Sequence, residues 1–386
     1  MLERTKNDSM LNIKDRIFVA GHKGLAGSAL VRQLEANGFK QILTRSRQEL
    51  DLTEQGAVRR FFSEEKVDAV FLAAGRVGGV HANNTFRADF IYENLMIEAN
   101  VIHQAFAAGV RRLLFLGSSC IYPRAVAQPM REEALLTGTL EPTNEPYAIA
   151  KITGIKMCEA YNAQHRTAYR AVMPTNLFGP HDNYDLEKSH VLPAIIRKLH
   201  LAKSACAGDA DTVLNDQRAH GGIPGDVRAC LDALFEDNGH PALFKTAAEN
   251  QPEHSGITMW GSGKPLREFL HVDDMAAACL FAMQLADDVF AKMMADDGIS
   301  FLNVGAGREI SIYDLVNLVA KVVGYEGDIL WDDSKPDGIS RKLLDTTRLE
   351  QLGWRPAISL EEGIRRVYRD YCRTAYPVFT GMTGLR

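Results

Sequence analysis

Arg16-Ile17-Phe18-Val19-Ala20-Gly21-His22-Lys23-Gly24-Leu25-Ala26-Gly27 is the stretch on which the fold turns. Arg16–Ala20 reads as a short buried strand running into a loop with three glycines. Behind the loop Leu25, Ala29, Leu30 and Leu34 recur at helical spacing until Gly38 stops the helix. A glycine turn between strand and helix lets backbone approach a pyrophosphate closely, and the helix N-terminus offers free N–H groups to its oxygens. Three glycines alone would be a common turn; the strand before them and the helix behind make a dinucleotide site.

Outward from this loop the alternation continues. Gln41–Leu43 is a second strand, and Thr53 is placed to cap a helix whose inward face is Val58, Phe61 and Phe62. Val70–Ala73 is a third strand, Asn94–Ala108 a helix and Leu113–Gly117 a fourth strand. A long helix is expected from Pro146 past Tyr161, since proline suits a first turn, followed by a strand at Ala171–Asn176. Alternating strands and helices with short loops predict a Rossmann-type, doubly wound parallel sheet. The expected α/β dinucleotide domain spans residues 15–180, with later segments returning to it, and a smaller C-terminal α/β substrate-binding lobe spans 181–375. In that lobe Ser311 should cap a helix carrying Leu315, Val316 and Val319. Residues 201–255 stand apart as an inserted excursion, part helical through Val227, Cys230, Leu231, Leu234 and Phe235, and part mobile. Its His220, His240 and His254 match no ligand spacing and read as isolated surface histidines, so no metal is expected.

The 386 residues can bury a large core, and 46% hydrophobic with 24% charged residues is ordinary for a globular protein. A net charge of −5 argues against nucleic acid or an acidic membrane as the main partner. Six scattered cysteines form neither a disulfide framework nor a zinc motif. The start of the chain, Met1 to Lys14, is polar and mixed in charge, unlike a signal peptide, and no apolar run could span a bilayer. A cytoplasmic location is the expectation.

At the end of the second strand, Leu43-Thr44-Arg45-Ser46-Arg47 offers two guanidinium groups where an NAD site would place a carboxylate. Guanidinium groups suit a 2′-phosphate, and Lys23 adds positive charge, so NADP(H) is the expected cofactor rather than the arginines being stray residues of a solvated turn. Asp51 is a candidate adenine contact. Tyr147 and Lys151 lie at i and i+4 on one helix face. The ammonium, with an oxidised nicotinamide, would lower the phenol pKa, so that tyrosine passes a proton to or from a carbonyl during hydride transfer. Leu116-Gly117-Ser118-Ser119-Cys120 ends the fourth strand, where ligands bind in open α/β sheets. Ser118 would share the substrate oxygen with Tyr147. Cys120 reads either as a buried inert thiol or as an acid/base group beside that oxygen.

The runs Phe115-Leu-Gly-Ser-Ser-Cys-Ile-Tyr-Pro123, Glu141-Pro-Thr-Asn-Glu-Pro-Tyr-Ala-Ile-Ala-Lys151, Met173-Pro-Thr-Asn-Leu-Phe-Gly-Pro-His-Asp-Asn183, Trp260-Gly-Ser-Gly and Arg267-Glu-Phe-Leu-His-Val-Asp-Asp274 resemble the GDP-L-fucose synthases of the extended short-chain dehydrogenase/reductase superfamily. The likeness covers nearly all of residues 15–370 apart from the excursion. It implies 3,5-epimerisation of GDP-4-keto-6-deoxy-D-mannose followed by NADPH-dependent reduction at C4. By the resemblance, Ser118, Tyr147 and Lys151 match the catalytic triad, and Cys120 and His190 match the pair that moves protons at C3 and C5. Pro174, Thr175, Asn176 and Leu177 match a cofactor-contacting stretch, which Leu116, Gly117 and His190 are expected to join. Trp260, Arg267 and Asp337 match substrate contacts, and Lys198 stands where relatives often have arginine. The resemblance also implies a homodimer through paired helices, one carrying Tyr147. The rivals are another nucleotide-sugar epimerase or dehydratase and a non-catalytic NADPH sensor.

Overall fold

The computed structural model describes residues 10–245, 254–298, 300–335 and 337–375. The chain begins β1 (Ile17–Ala20), α1 (Leu25–Ala36), β2 (Ile42–Leu43), α2 (Gln55–Glu64), β3 (Ala69–Leu72), α3 (Val80–Thr85), α4 (Arg87–Ala107) and β4 (Arg112–Leu116). Next come α5 (Glu145–His165), β5 (Ala168–Pro174), β6 (Asn176–Phe178), α6 (Val191–Cys206), α7 (Ala210–His220), α8 (Gly225–Asp237) and β7 (Ile257–Trp260). Then follow β8 (Leu266–His271), α9 (Val272–Gln284), α10 (Asp287–Asp297), β9 (Phe301–Val304), β10 (Glu309–Ser311) and α11 (Ile312–Val323). The chain closes with β11 (Ile329–Asp332), β12 (Arg341–Lys342), α12 (Thr347–Gln351) and α13 (Leu360–Ala375). Two compact units divide these elements. The first is Met1–Leu177, Glu268–Glu309 and Lys342–Ile358; the second is Phe178–Arg267, Ile310–Arg341 and Ser359–Arg386.

In the first unit six strands pair in the order β2-β1-β3-β4-β5-β9, every pair parallel. Strand residues are buried on both faces, which is why Ile17–Ala20 and Ala69–Leu72 read as unbroken apolar runs. Alternate side chains divide between two cores. Phe18, Ala20, Val70 and Leu72 pack under α2, α4 and α5 with Val58, Phe61, Val101 and Ile155. Ile17, Val19, Ala69 and Phe71 pack under α1 and α9 with Leu30, Leu34, Met275 and Cys279. The chain steps from β1 outward to β2 and then crosses back to β3, so the strand order reverses beside β1. Open sheets of this kind bind ligands in the crevice at that reversal, beyond the carboxyl ends of the strands.

Local departures from the expected elements have local causes. Thr53 does not cap α2; Glu54 precedes the helix, and the Thr53 N–H and hydroxyl donate to Asp51 at 2.9 and 2.7 Å. The helix expected from Asn94 begins at Arg87, about two turns earlier, because Phe90 anchors the added stretch on the buried side. Ser311 does cap α11, accepting from the Asp314 N–H at 3.0 Å.

The second unit contains the helix expected in the excursion, as α8, and corrects the reading of His220; residues 246–253 lie outside the described ones. The described part of the excursion is mainly α7 and α8 and contributes to a core: Val213, Val227, Leu231 and Phe235 are buried. The anchor is Arg197 of α6, fully buried, whose Nε donates to Asp216 of α7 at 2.7 Å. Its remaining nitrogens donate to the carbonyls of Tyr184, His220 and Gly221 at 3.1, 3.0 and 2.6 Å, and Tyr371 of α13 donates to the other Asp216 oxygen. His220 is therefore no surface histidine: its ring is stacked on Tyr371, centroids 4.9 Å apart. His240 sits against Gly208, where a Cβ would come within 2.5 Å of the imidazole. Sequence alone missed this packing because its partners come from helices far apart along the chain.

Candidate active site

The glycine loop closes the carboxyl end of β1. Gly21 has φ +87°, and a Cβ there would stand 2.7 Å from the Ala74 nitrogen; a Cβ on Gly27 would stand 2.1 Å from the Gly21 carbonyl oxygen. Both contacts are with backbone that cannot swing aside, so only glycine fits. The Gly24 N–H donates to the Gly21 carbonyl at 3.0 Å, and Gly24 then serves as N-cap of α1 with no side chain covering the helix end. His22, Lys23, Leu25 and Ala26 complete the loop and first turn, leaving the N–H groups of α1 open to a phosphate.

The two arginines after β2 differ. Arg45 is ion-paired to Glu65 at 2.6 Å and lies over the Phe61 ring. Arg47 is two-thirds exposed, with looser contacts to Asp51 at 3.6 Å and Glu93 at 3.4 Å. Arg47 is thus the guanidinium that a 2′-phosphate could take at little cost, whereas Arg45 would first give up a close partner. Asp51 is held ionised by the two hydrogen bonds from Thr53, which lower its pKa.

The candidate reacting groups of the first unit gather at the end of β4. Ser118 caps a single 3-10 turn, Ser119–Ile121, its Oγ accepting from the Cys120 N–H at 3.4 Å. Gly117 packs on Met173 so tightly that a Cβ would stand 2.3 Å from the sulfur. From α5, Lys151 reaches under this turn: its buried Nζ donates to the Leu116 carbonyl at 3.1 Å and stands 3.1 Å from Glu98 of α4. It also lies 4.7 Å from the Phe115 ring centre and 5.7 Å from that of Tyr147. Burial raises the Tyr147 phenol pKa well above its ordinary value, the Cys120 thiol and Glu98 raise it further, and a hydrogen bond with Ser118 opposes them. The lowered phenol expected from the sequence is that of the chain with Lys151 and an oxidised nicotinamide acting together; within the protein alone, burial dominates and Glu98 stands beside Lys151. Burial also raises the Cys120 thiol, against the charges of Lys342 and Lys151. At neutral pH both groups therefore carry their protons.

Beyond β5, Pro174 ends the strand and Thr175, Asn176 and Leu177 follow. The Thr175 N–H donates to Val304 at 3.0 Å, and the Asn176 amide donates to the Glu268 carbonyl at 2.8 Å. The Glu268 carboxylate itself is buried and accepts from the N–H groups of Gly307 and Leu344 at 2.7 and 3.1 Å, fixing this stretch from below.

In the second unit, two pairs of the expected substrate residues come together. The Lys198 ammonium donates to the Thr258 carbonyl at 3.0 Å and lies 5.5 Å from the Trp260 ring centre. Arg267 is half-buried, burial lowering its pKa and the charge of Asp337 raising it. Asp337 accepts from the Ser262 N–H and hydroxyl at 2.9 and 2.6 Å. Trp260 is 59% exposed, and two residues that sequence reasoning missed attend it. Asp226, at the start of α8, accepts from the indole N–H at 3.3 Å, and Lys335 lies 5.7 Å from the ring centre. No motif flagged Asp226, since it belongs to the excursion. Glu98 was missed too, although a carboxylate between the inward-facing Asn94 and Val101 of α4 is a signal that could have found it. His190 is exposed at the N-cap of α6 in the second unit, whereas Cys120 belongs to the first.

Residues 17–220 and 233–293 match the NAD dependent epimerase/dehydratase family. The chain is 49% identical over 356 residues to the GDP-L-fucose synthase of Escherichia coli K12, covering 92% of this chain and 96% of that one. It is 45% identical over 356 residues to the GDP-L-fucose synthase of Sinorhizobium fredii, covering 92% and 95%. Among solved structures, it is similar to a GDP-mannoheptose C4 reductase from Campylobacter jejuni with NADP bound, at 36% identity and TM-score 0.76, over 94% of this chain and 99% of that one. By these likenesses the chain belongs to the NAD dependent epimerase/dehydratase family and, within it, to the GDP-L-fucose synthases.

Proposed function

We propose that this chain converts GDP-4-keto-6-deoxy-D-mannose to GDP-L-fucose, exchanging protons at C3 and C5 and then reducing C4, with NADP(H) as cofactor. The observation that carries the reading is the thiol of Cys120, one short turn from Ser118 and close enough to Tyr147 to shift its phenol. A plain reductase needs the serine, the tyrosine and the lysine; a thiol beside them supplies a second proton-transfer group.

The C4 carbonyl would accept hydrogen bonds from Ser118 and Tyr147, stabilising the enolate formed when a neighbouring C–H is lost. Cys120 enters protonated, suited to returning a proton, and Lys342 and Lys151 lessen the cost of its thiolate. His190 is its partner in the proposal. When bound, NADPH supplies the hydride to C4. Tyr147 then donates its proton to the oxygen, a task for which a raised pKa is an advantage, because the phenol stays loaded at neutral pH. The open helix terminus at Gly24 and the exposed Arg47 support NADP(H), and Lys198, Trp260, Arg267 and Asp337 support a nucleotide diphosphate sugar.

We also infer a cytoplasmic homodimer joined through α4 and α5, on which Tyr92 and Ile149 stand exposed. No described helix is long and apolar enough to cross a membrane. Light scattering at micromolar concentration should give twice the chain mass.

The test of the function is incubation with GDP-4-keto-6-deoxy-D-mannose in deuterated water, with NADPH and separately with NADH. One NADPH consumed per GDP-fucose formed, with deuterium at C3 and C5 and slower use of NADH, is expected. Reduction without deuterium would leave a C4 reductase only, and no cofactor oxidation would sink the reading. A keto-heptose substrate in a parallel tube separates the chain from its heptose-reductase relatives.

A further inference from the structure

Glu98 is a carboxylate in a place where α4 should be apolar. It is 1% exposed, lies between Asn94 and Val101 on the inward side of α4, and faces Lys151 of α5 at 3.1 Å. Neither of its oxygens completes a well-directed hydrogen bond, so the ion pair is its chief compensation. An ion pair buried this deeply stabilises little, because taking two charges out of water costs about what their attraction returns. The fold could fill the site with apolar side chains.

We propose that Glu98 is a positioning residue for the reduction: by neutralising Lys151 it sets how readily Tyr147 gives up its proton. The inference deepens the proposed function and rests on its reading of Tyr147 as the proton donor. Three titratable groups of α5 face the Glu98 carboxylate, namely Lys151, Tyr147 and Cys158, and of these only Lys151 brings a favourable charge, with the Gly154 N–H adding a smaller contribution. From the turn after β4, Cys120 acts on Tyr147 as well. With Glu98 ionised, Lys151 and Glu98 together present almost no net charge to the phenol, and loss of its proton is opposed. With Glu98 replaced by a neutral group of the same shape, the ammonium acts on the phenol alone and favours phenolate. Burial moves Glu98 itself up to about 7, so the pair stands at the edge of changing charge near neutrality.

The arrangement suits a reductive enzyme. An unpaired lysine would make Tyr147 a better base, and in the reductive direction that empties the donor before the hydride arrives. Glu98 keeps the donor loaded.

The experiment is titration of the Tyr147 phenol by ultraviolet tyrosinate absorbance in the full chain saturated with NADP+, taken as the difference from Tyr147→Phe in each background. In Glu98→Gln the midpoint should fall by at least about one pH unit, a tenfold change in the ionisation equilibrium, and the alkaline limb of kcat for the keto-sugar should fall with it. Glu98→Asp keeps the charge but withdraws it from Lys151, and should give a smaller drop in the same direction. Should Glu98→Gln fail to fold, Glu98→Asp decides alone. Midpoints that coincide with wild type in the folded variants overturn the proposal. The phenol titration needs no sugar, so a wild-type chain inactive on the keto-sugar would sink the proposed function without touching this result.

Discussion

The two candidate sites hold their lysines in different ways. In the first, Lys151 is buried, hydrogen-bonded to a strand carbonyl and paired with a buried carboxylate. In the second, Lys198 and Lys335 flank an exposed indole, with Asp226 at its edge. A group that must hold one proton at one atom needs fixed neighbours and little water, because electrostatic terms are large only where water is excluded. Lys198 is itself partly buried and burial lowers its pKa, but the indole beside it and Lys335 stay open to solvent. The same residue type thus stands paired in a buried core in one candidate site and beside an exposed indole, in a candidate receptor, in the other.

That contrast can be broken at its strongest point first. Tyr147→Phe should lower kcat for NADPH oxidation by about 10²–10⁴-fold, the usual contribution of a positioned acid, while NADPH affinity measured by fluorescence stays within a few-fold. Parity with wild type would mean that the first unit's tuned phenol is not the donor. The excursion comes next. Arg197→Leu leaves Asp216 buried without its ion-pair partner and should cost about 3–5 kcal/mol in urea unfolding; a loss below about 1 kcal/mol would make α7 a loosely attached appendage after all. Smallest is Asp226→Asn, which keeps an acceptor for the indole but removes the charge beside Lys198. It should change KM for the keto-sugar a few-fold and leave kcat alone, as expected for an exposed charge contact of about 1 kcal/mol or less. A change confined to kcat would move Asp226 out of the receptor class.

Legibility followed distance along the chain. The glycine loop, the strand ending in Ser118 and the pair Tyr147–Lys151 were readable because each depends on spacing within one turn or one helix. The paired roles of Arg45 and Arg47 were not separable, since Phe61 and Glu65, which occupy Arg45, come from α2 and its C-cap. The helix through Val227–Phe235 was legible from its spacing, but the anchoring of the excursion was not: Arg197, Asp216 and Tyr371 span 174 positions and meet only in space.

By itself the sequence determined the parallel sheet, the glycine loop between β1 and α1, and which side chains are candidates for the reaction. Those rest on period, glycine and i, i+4 geometry, which local backbone physics enforces. Only the tertiary structure decided their electrical state. Burial is the largest cause of the raised Tyr147 phenol, and Glu98, brought beside Lys151 from another helix, adds to it. Desolvation and charge compensation are properties of a place in the fold, not of a position in the chain.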